Sequence, residues 1–304
     1  MVEPLHPITV VMRSYNDARL LPHTLGALDA QEGVTTRLFV FESASTDGSK
    51  EIFERHGYDR IVHLEPGSYH SATVLNQGTE WAETELVAYV NSDAIMMSRR
   101  VLRLLADAIV ADERCAGAFC RQIVRPDATP MTRLDYFTAF DNRHELGSFA
   151  DKMSLVCSMV RRSAWEGNRF DGALTFSEDY VWSHRAQLQG WRLRYVPEAV
   201  VEHSHNYGAD ELYRRHFGDA AALACIRDTA PSSSALGGVV LPWTRRCLRD
   251  TWRLARMGAF TEAWRLPAYR WPMLLGEWHG ARAGWRHFRD EGRSDPQPVA
   301  PRVA

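Results

Sequence analysis

Through its first third the chain alternates short runs of buried-strand character with stretches in which apolar side chains recur every three or four positions. Ile8–Met12, Arg37–Phe41, Arg60–Leu64 and Leu86–Val90 have the strand pattern. Ala18–Gln31, Gly48–His56, Ala72–Trp81 and Arg100–Ala111 have the helical one. Such alternation predicts an α/β domain built on a mostly parallel sheet, covered by helices on both faces. The second half is less regular. Cys115–Val124 and Ser154–Val160 read as strands around a loop carrying Pro126 and Pro130. A helix over Glu178–Gln189 stops at Gly190, and Trp191–Val196 and Ala199–Glu202 read as two strands leading into His203-Ser204-His205. Asp210–Arg227 is predicted to be the last helix of the main domain. The Ser- and Gly-rich segment Thr229–Gly238 reads as a linker.

The expected organisation is therefore a domain over 1–230, a helical extension over 235–294 and a disordered tail over 295–304, which holds three prolines. With 304 residues, 45% of them apolar, the chain is long enough for that large domain and its appendage. Its formal net charge of -2 gives no argument for a nucleic-acid partner, but the charge is unevenly spread. Between Ala235 and Arg293 there are 11 Arg and no Lys against 5 acidic residues, a local excess of +6 that leaves -8 elsewhere. Five scattered cysteines suit reduced thiols in the cytosol better than a disulfide framework. Neither a leader pattern nor a run of apolar residues long enough to span is found, so neither export nor a membrane span is expected.

In open α/β sheets, ligands bind beyond the carboxyl ends of the strands. The residues there are Arg13-Ser14-Tyr15-Asn16-Asp17, then Glu42-Ser43-Ala44-Ser45-Thr46-Asp47-Gly48-Ser49, then Tyr69-His70, and finally Asn91-Ser92-Asp93-Ala94. On the topology supposed, all four converge on one crevice. Asp93 supplies a carboxylate of the kind that holds a hard divalent cation, which prefers oxygen ligands. A helix N-cap is the competing reading for Ser92 or Asp93, and Asp47 is expected to cap the helix beginning near Gly48. Tyr15 also suits a turn, and Glu42 a solvated strand end. Ser177-Glu178-Asp179 opens a helical run, where acids also complement the helix dipole. His203 and His205, at i and i+2, share a face if the strand runs through them.

These motifs together resemble family 2 glycosyltransferases, whose opening strand ends in T-Y-N or similar, whose second ends in D-S-x-S-T-D-G-S/T and whose fourth ends in a D-x-D variant. The resemblance covers roughly residues 8–217. Within the family the chain is most similar to the rhamnosyltransferase-like branch, on Tyr69-His70 and His203-Ser204-His205-Asn206-Tyr207. It implies a GT-A fold, that is, a Rossmann-like, mostly parallel mixed sheet flanked by helices, here with a C-terminal helical extension. It further implies an inverting enzyme that moves a sugar from a nucleotide-diphosphate donor to an acceptor hydroxyl, with Mn²⁺ or Mg²⁺ as cofactor. Carried over by position, Arg13, Tyr15, Glu42, His70, Asn91, Ser92 and Asp93 would bind the donor. Asp93 and His203 would hold the metal, Asp179 would be the catalytic base, and Glu178 and His205 would contact diphosphate or acceptor. The chain departs from the pattern at Glu42 and Asn91, where the family usually has Asp.

Six tryptophans, Trp243, Trp252, Trp264, Trp271, Trp278 and Trp285, are interspersed with the Arg residues of 235–294. That composition suits helices lying in a membrane interface, placing the protein at the cytoplasmic, inner face of a membrane with a glycan or lipid-linked glycan acceptor. It equally suits helices packed on the catalytic domain or on a second subunit. Processive synthases of the family carry Q-x-x-R-W, where this chain has Gln187-Leu188-Gln189-Gly190-Trp191, so single addition is expected. The rival to an enzyme is a non-catalytic partner or scaffold that keeps the fold for glycan assembly. Acceptor choice is expected to rest on loops such as 125–147.

Overall fold

The structure is a computed structural model in which residues 5–140, 152–227 and 229–290 are described. The tail 295–304 and the part of the 125–147 loop beyond residue 140 lie outside the described residues. The chain divides into two compact units, one of Met1–Arg125, Thr138–Phe170 and Trp182–His203, the other of Pro126–Phe137, Asp171–Val181 and Ser204–Ala304.

The first unit holds an eight-stranded sheet. In chain order its strands are β1 (His6–Ser14), β2 (Val34–Glu42), β3 (Arg60–His63), β4 (Leu86–Asn91), β5 (Ile95–Met96), β6 (Cys115–Ile123), β7 (Cys157–Arg161) and β8 (Arg192–Glu202). Their spatial order is β3-β2-β1-β4-β7-β6-β8-β5. The block β3-β2-β1-β4 is parallel, β7 runs antiparallel to both β4 and β6, and β6 pairs in parallel with β8. Alternate residues of β1 and β4 enter opposite cores, as the two-residue strand period requires. Ile8, Val10, Met12, Ala88 and Val90 pack with α1 (Leu21–Asp29), α2 (Ser49–His56) and α4 (Val101–Val110). Val11, Val87 and Tyr89 pack with α3 (Ser71–Glu80), α6 (Arg162–Glu166) and the later part of α7 (Glu178–Leu188). Burial in α4 falls at Val101, Leu102, Leu105, Ala106 and Ile109, a single helical face.

Several local expectations are corrected. The two strands foreseen at Trp191–Val196 and Ala199–Glu202 are one, because Pro197, Glu198 and Ala199 are looped out between the pairs Cys120↔Val196 and Arg121↔Val200. Such a bulge tolerates a proline inside a ladder. Pro130 begins the helix α5 (Pro130–Ala139) rather than breaking a loop, since the first turn needs no proline N–H. The first helix starts at Leu21, not Ala18, after a turn in which Asp17 O accepts from Leu20 N and Leu21 N. At the end of α7, Gly190 lies at φ 85° and Trp191 N donates to Ala186 O, a closure that favours glycine and accounts for Gly where the Q-x-x-R-W pattern has Arg.

The second unit is helical. Its long elements are α8 (Ala209–Leu223), α9 (Leu241–Arg256) and α10 (Leu266–Trp285). Residues Gly276, Gly280 and Gly284 of α10 face α8 so closely that an added Cβ would stand 2.5, 2.1 and 2.2 Å from the carbonyl oxygens of Tyr213, Phe217 and Ala221. The segment read as a linker is tied to α10: Trp278 Nε1 donates to Ser232 O, Arg282 Nη1 donates to Ser233 O, and Gly238 leaves room for the Trp278 ring. Fully buried Asp250 on α9 receives Arg270 Nε at 2.9 Å, and Arg270 also pairs with Asp135, which accepts from the Tyr269 hydroxyl. Burial alone would lower the Arg270 pKa, but Asp135 and Asp250 outweigh it and raise it.

Gly280→Ala is expected to lower stability by about 1–3 kcal/mol through overpacking against α8, read from the midpoint of chemical denaturation. Acid should loosen the same unit. Burial alone would raise the Glu277 carboxyl, but His216 at 3.1 Å and Arg246 at 2.9 Å hold it at about 2. A depressed carboxylate contributes stability above its ordinary pKa and loses it below. Wild type should therefore lose thermal stability between about pH 4.5 and 2 more steeply than Glu277→Gln, whose curve lacks this step.

Candidate active site

The loops after β1, β2, β3 and β4 leave the same edge of the parallel block, and those after β1, β2 and β4 are joined by side-chain hydrogen bonds. Asn16, at φ 54°, accepts Thr46 N through Oδ1 at 2.9 Å and donates its own N–H to Ser45 Oγ. Asp17 N donates to Ser49 Oγ, and Ser92 Oγ donates to the Asp17 carboxylate. The N-cap of α2 is Gly48, not Asp47; Asp47, one residue earlier, accepts the N–H of Ser49, the first residue of α2, and also the N–H of Ala18 at 2.8 Å. Burial alone would raise its pKa, but these bonds lower it.

Arg13 is a hub and not an exposed donor ligand alone: its guanidinium donates to Ser71 Oγ, Asn91 Oδ1 and Leu155 O. Tyr15 stands 62% exposed beside it in sequence. The solvated strand end considered for Glu42 is not found, because the residue is 0% exposed. One of its oxygens accepts Ser45 N at 2.6 Å and the other meets His63 Nδ1 at 3.4 Å. Burial would raise its pKa, but the bonds from Ser45 and His63 bring it below the ordinary value. Ala44, in the turn Glu42 holds, has φ 55°. His70 occupies the N-cap position of α3, with Nδ1 3.3 Å from Thr73 Oγ1.

Asp93 lies in the turn between β4 and β5. Because the next helix begins only at Val101, it is not a helix cap. The two-residue β5 pairs antiparallel with the end of β8, Ile95↔Glu202, which brings the carboxyl end of β8 to this turn. Asp93 is 5% exposed and accepts Arg125 Nη2 through Oδ2 at 2.7 Å, and the same nitrogen donates to its backbone carbonyl at 2.6 Å. His203, 7% exposed and just past β8, presents Nε2 to Asp93 Oδ2 at 3.6 Å. Its Nδ1 is 3.2 Å from Gln122 Oε1, and Gln122 Nε2 donates to Ser154 Oγ at 2.7 Å. Since an amide oxygen only accepts, Nδ1 carries a proton and Nε2 is directed at the carboxylate. A carboxylate oxygen and a held imidazole nitrogen form a donor set suited to Mn²⁺ or Mg²⁺, with the outer hydrogen bond usual for a metal-binding histidine. Gln122 and Arg125 were not foreseen. Their position just before and after the carboxyl end of β6 is the sequence signal that marks them.

Within the second unit, Glu178 is buried and Asp179 half-buried in the first turn of α7. Asp179 Oδ1 accepts Tyr180 N at 2.8 Å. Ser177, before them, has φ 53°, and its hydroxyl donates to Asp219 Oδ1 on α8 at 2.9 Å. Among the described residues, those other than glycine with positive φ are Asn16, Ala44 and Ser177, all in candidate-site loops. Left-handed backbone costs roughly 1–3 kcal/mol there and persists only where surroundings enforce it. His205 lies two residues past His203, its ring stacked on Tyr207 with centroids 5.4 Å apart.

The sequence profile of the glycosyltransferase-like family 2 matches residues 6–222. The chain belongs to glycosyltransferase family 2. It is accordingly a nucleotide-sugar glycosyltransferase, and its mixed sheet with flanking and C-terminal helices is the GT-A fold. Among curated relatives, the chain is 25% identical over 210 residues to the O-antigen chain rhamnosyltransferase WbaN of Salmonella anatum, covering 66% of each chain. It is 24% identical to RfbN, an O-antigen chain rhamnosyltransferase of Salmonella typhimurium, covering 72% of this chain and 73% of that one. Among solved structures it resembles a mannosyltransferase of Pyrobaculum calidifontis in complex with GDP-Man and Mn²⁺, at TM-score 0.57 and 18% identity over 93% of this chain and 87% of that one. It also resembles S. aureus TarS 1–349 in complex with UDP-GlcNAc, at TM-score 0.52 and 16% identity over 93% and 92% of the two chains. Among the described residues of the enzyme, no helix is long and apolar enough to cross a membrane.

Removing one partner of a buried pair leaves the other charge poorly compensated. Asp93→Ala is therefore expected to destabilise the enzyme by about 3 kcal/mol or more, and Asp93→Ala combined with Arg125→Leu by clearly less than the single change. Urea denaturation of the three proteins reads the coupling.

Proposed function

We propose that the enzyme transfers a rhamnosyl or related hexosyl residue, with inversion, from a nucleotide-diphosphate donor to a hydroxyl of a growing cell-surface glycan. The observation that carries this reading is the arrangement at Asp93: a buried carboxylate, a histidine oriented by Gln122, and Arg125 at the carboxyl edge of the sheet. The catalytic domain is taken as residues 1–230, with 235–294 as its extension. The two O-antigen rhamnosyltransferase relatives support the choice of sugar and of a polysaccharide acceptor.

Each residue has a local task. Glu42 holds the Ser43–Thr46 turn, and Arg13 fixes Asn91 and Ser71, so that this turn, Tyr15 and His70 frame the nucleoside. Asp93 and His203, with His205 two residues further on, would hold a divalent cation at the donor diphosphate. A cation there supplies Lewis-acid stabilisation of charge on the departing nucleoside diphosphate. Arg125 adds a fixed positive charge beside the same group. Asp179 takes the proton from the acceptor hydroxyl as its oxygen attacks the anomeric carbon, and the glycosyl–phosphate bond breaks with its electrons on the diphosphate. Glu178 supports the acceptor side of that exchange.

The exposed surface of the extension favours a membrane-facing location. On α9, Leu241, Leu248 and Trp252 lie outward at helical spacing among Arg245, Arg249 and Arg256, and Phe260, Trp264 and Trp271 are also exposed. Solvated helices usually present polar residues outward, whereas apolar groups mixed with arginine suit an anionic interface. Trp243 and Trp278 instead donate to backbone carbonyls within the unit, which fits the packing alternative for those two. The reading places the enzyme on the inner, cytoplasmic leaflet, near a lipid-linked acceptor.

Calorimetry with UDP, GDP and dTDP, with and without Mn²⁺, tests the donor site. One nucleotide should bind at a micromolar level only with metal, and Asp93→Asn should lose that dependence; no binding of any of them would favour a non-catalytic partner. With the matching sugar nucleotide, Asp179→Asn should lower kcat by about 10²–10⁴ without loss of nucleotide affinity. Retained anomeric configuration in the product would remove Asp179 from its role. Flotation should show binding to liposomes containing anionic lipid, weakened by salt and by Arg245→Glu with Arg249→Glu; equal recovery on neutral liposomes would contradict the electrostatic part.

A further inference from the structure

The second unit holds a cavity of about 190 Å³ that has His205 at one side and is otherwise lined by residues outside the donor chemistry. Tyr136 on α5, Tyr207 before α8 and Tyr269 on α10 line it, together with Asp135, Arg215 and Asp219. The Arg215 guanidinium lies over the Tyr207 ring at 4.5 Å, and the Tyr269 hydroxyl donates to Asp135 at 2.9 Å. Two walls of the cavity thus have fixed rotamers before any ligand arrives. Asp219 is tied by its Oδ1 to the Ser177 hydroxyl, two residues before Asp179.

These features select a ligand class. Aromatic rings accept the weakly polar C–H face of a pyranose, and carboxylates accept its hydroxyl protons. Arg215 is matched by Asp219 and Arg270 by Asp135, so the lining has no excess of arginine over carboxylate with which to hold a nucleoside diphosphate. The volume is below the roughly 300–1,000 Å³ of sites for drug-sized ligands, so it suits one ring and not an oligosaccharide. We propose that this cavity is the subsite for the terminal sugar ring of the acceptor, with Tyr207 as platform and Asp219 as hydroxyl acceptor. The proposal rests on the transferase reading above and adds to it where the acceptor is held.

The test is saturation-transfer NMR on the full chain with methyl glycosides of rhamnose, mannose, galactose, glucose and N-acetylglucosamine as probes. Wild type should transfer saturation to at least one of them. Tyr207→Ala and Asp219→Asn should each lose most of that transfer, and Asp219→Asn should keep an unchanged melting temperature and metal-dependent nucleotide affinity. Transfer to none of the probes, or equal transfer in wild type and both variants, overturns the subsite. Nucleotide binding in the same samples separates the two readings: its loss in wild type would count against the donor site, whereas its presence with no glycoside signal counts against this cavity alone.

Discussion

A carboxylate removed from water must be compensated, and at the carboxyl edge of the sheet Asp93 imposes that demand. Isolated burial of a charge is so unfavourable that a group would sooner give up its ionisation. Here Arg125 and His203 approach from the ends of two further strands, so the requirement of one side chain fixes the relative position of three. The topology follows. A strand of only two residues, β5, gives Asp93 its turn and then borrows its hydrogen bonds from the far edge of the sheet, so that β8 ends beside β4's loop although two strands, β7 and β6, lie between them in the sheet order.

Around this point the polar loops of the parallel block are preorganised by one another. Asn16, Asp17, Ser45, Asp47, Ser49 and Ser92 exchange hydrogen bonds across three loops, and Glu42 props the middle one from below. Left-handed backbone at Asn16 and Ala44 is sustained by those contacts. Electrostatic stabilisation of a reacting diphosphate is effective only where dipoles need not reorganise, and in the proposed donor site this lattice of short bonds would supply that stiffness.

Much of this was legible beforehand because it is written in local patterns. Strand ends followed by clustered Ser, Asp, Asn and Tyr mark the crevice of any open sheet, and Ile8–Met12 or Leu86–Val90 differ from their surroundings by periodicity alone. What escaped is non-local. No pattern of two residues distinguishes Ile95–Met96 as a strand, because its existence depends on β8 a hundred residues later. Gln122 reads as one more polar strand residue until Ser154 and His203 are seen on either side of its amide. For Glu42 a solvated strand end was the competing reading, since charge usually predicts exposure, yet its partners Ser45 and His63 make burial tolerable. Gly238 suggested flexibility, whereas its meaning is the Trp278 ring lying where a methyl would be.

The contact of α8 with α10 has a consequence for how recognition could change over time. Three glycines bring the two backbones together without side chains between them, and both helices carry residues of the aromatic cavity: Arg215 and Asp219 on one, Tyr269 on the other. Walls joined so tightly are preorganised, so the protein itself would lose little conformational entropy when a ring entered the proposed subsite. Diversification of what fits there must then proceed by exchanging individual side chains on an unchanging frame, one contact at a time, and never by sliding the helices apart.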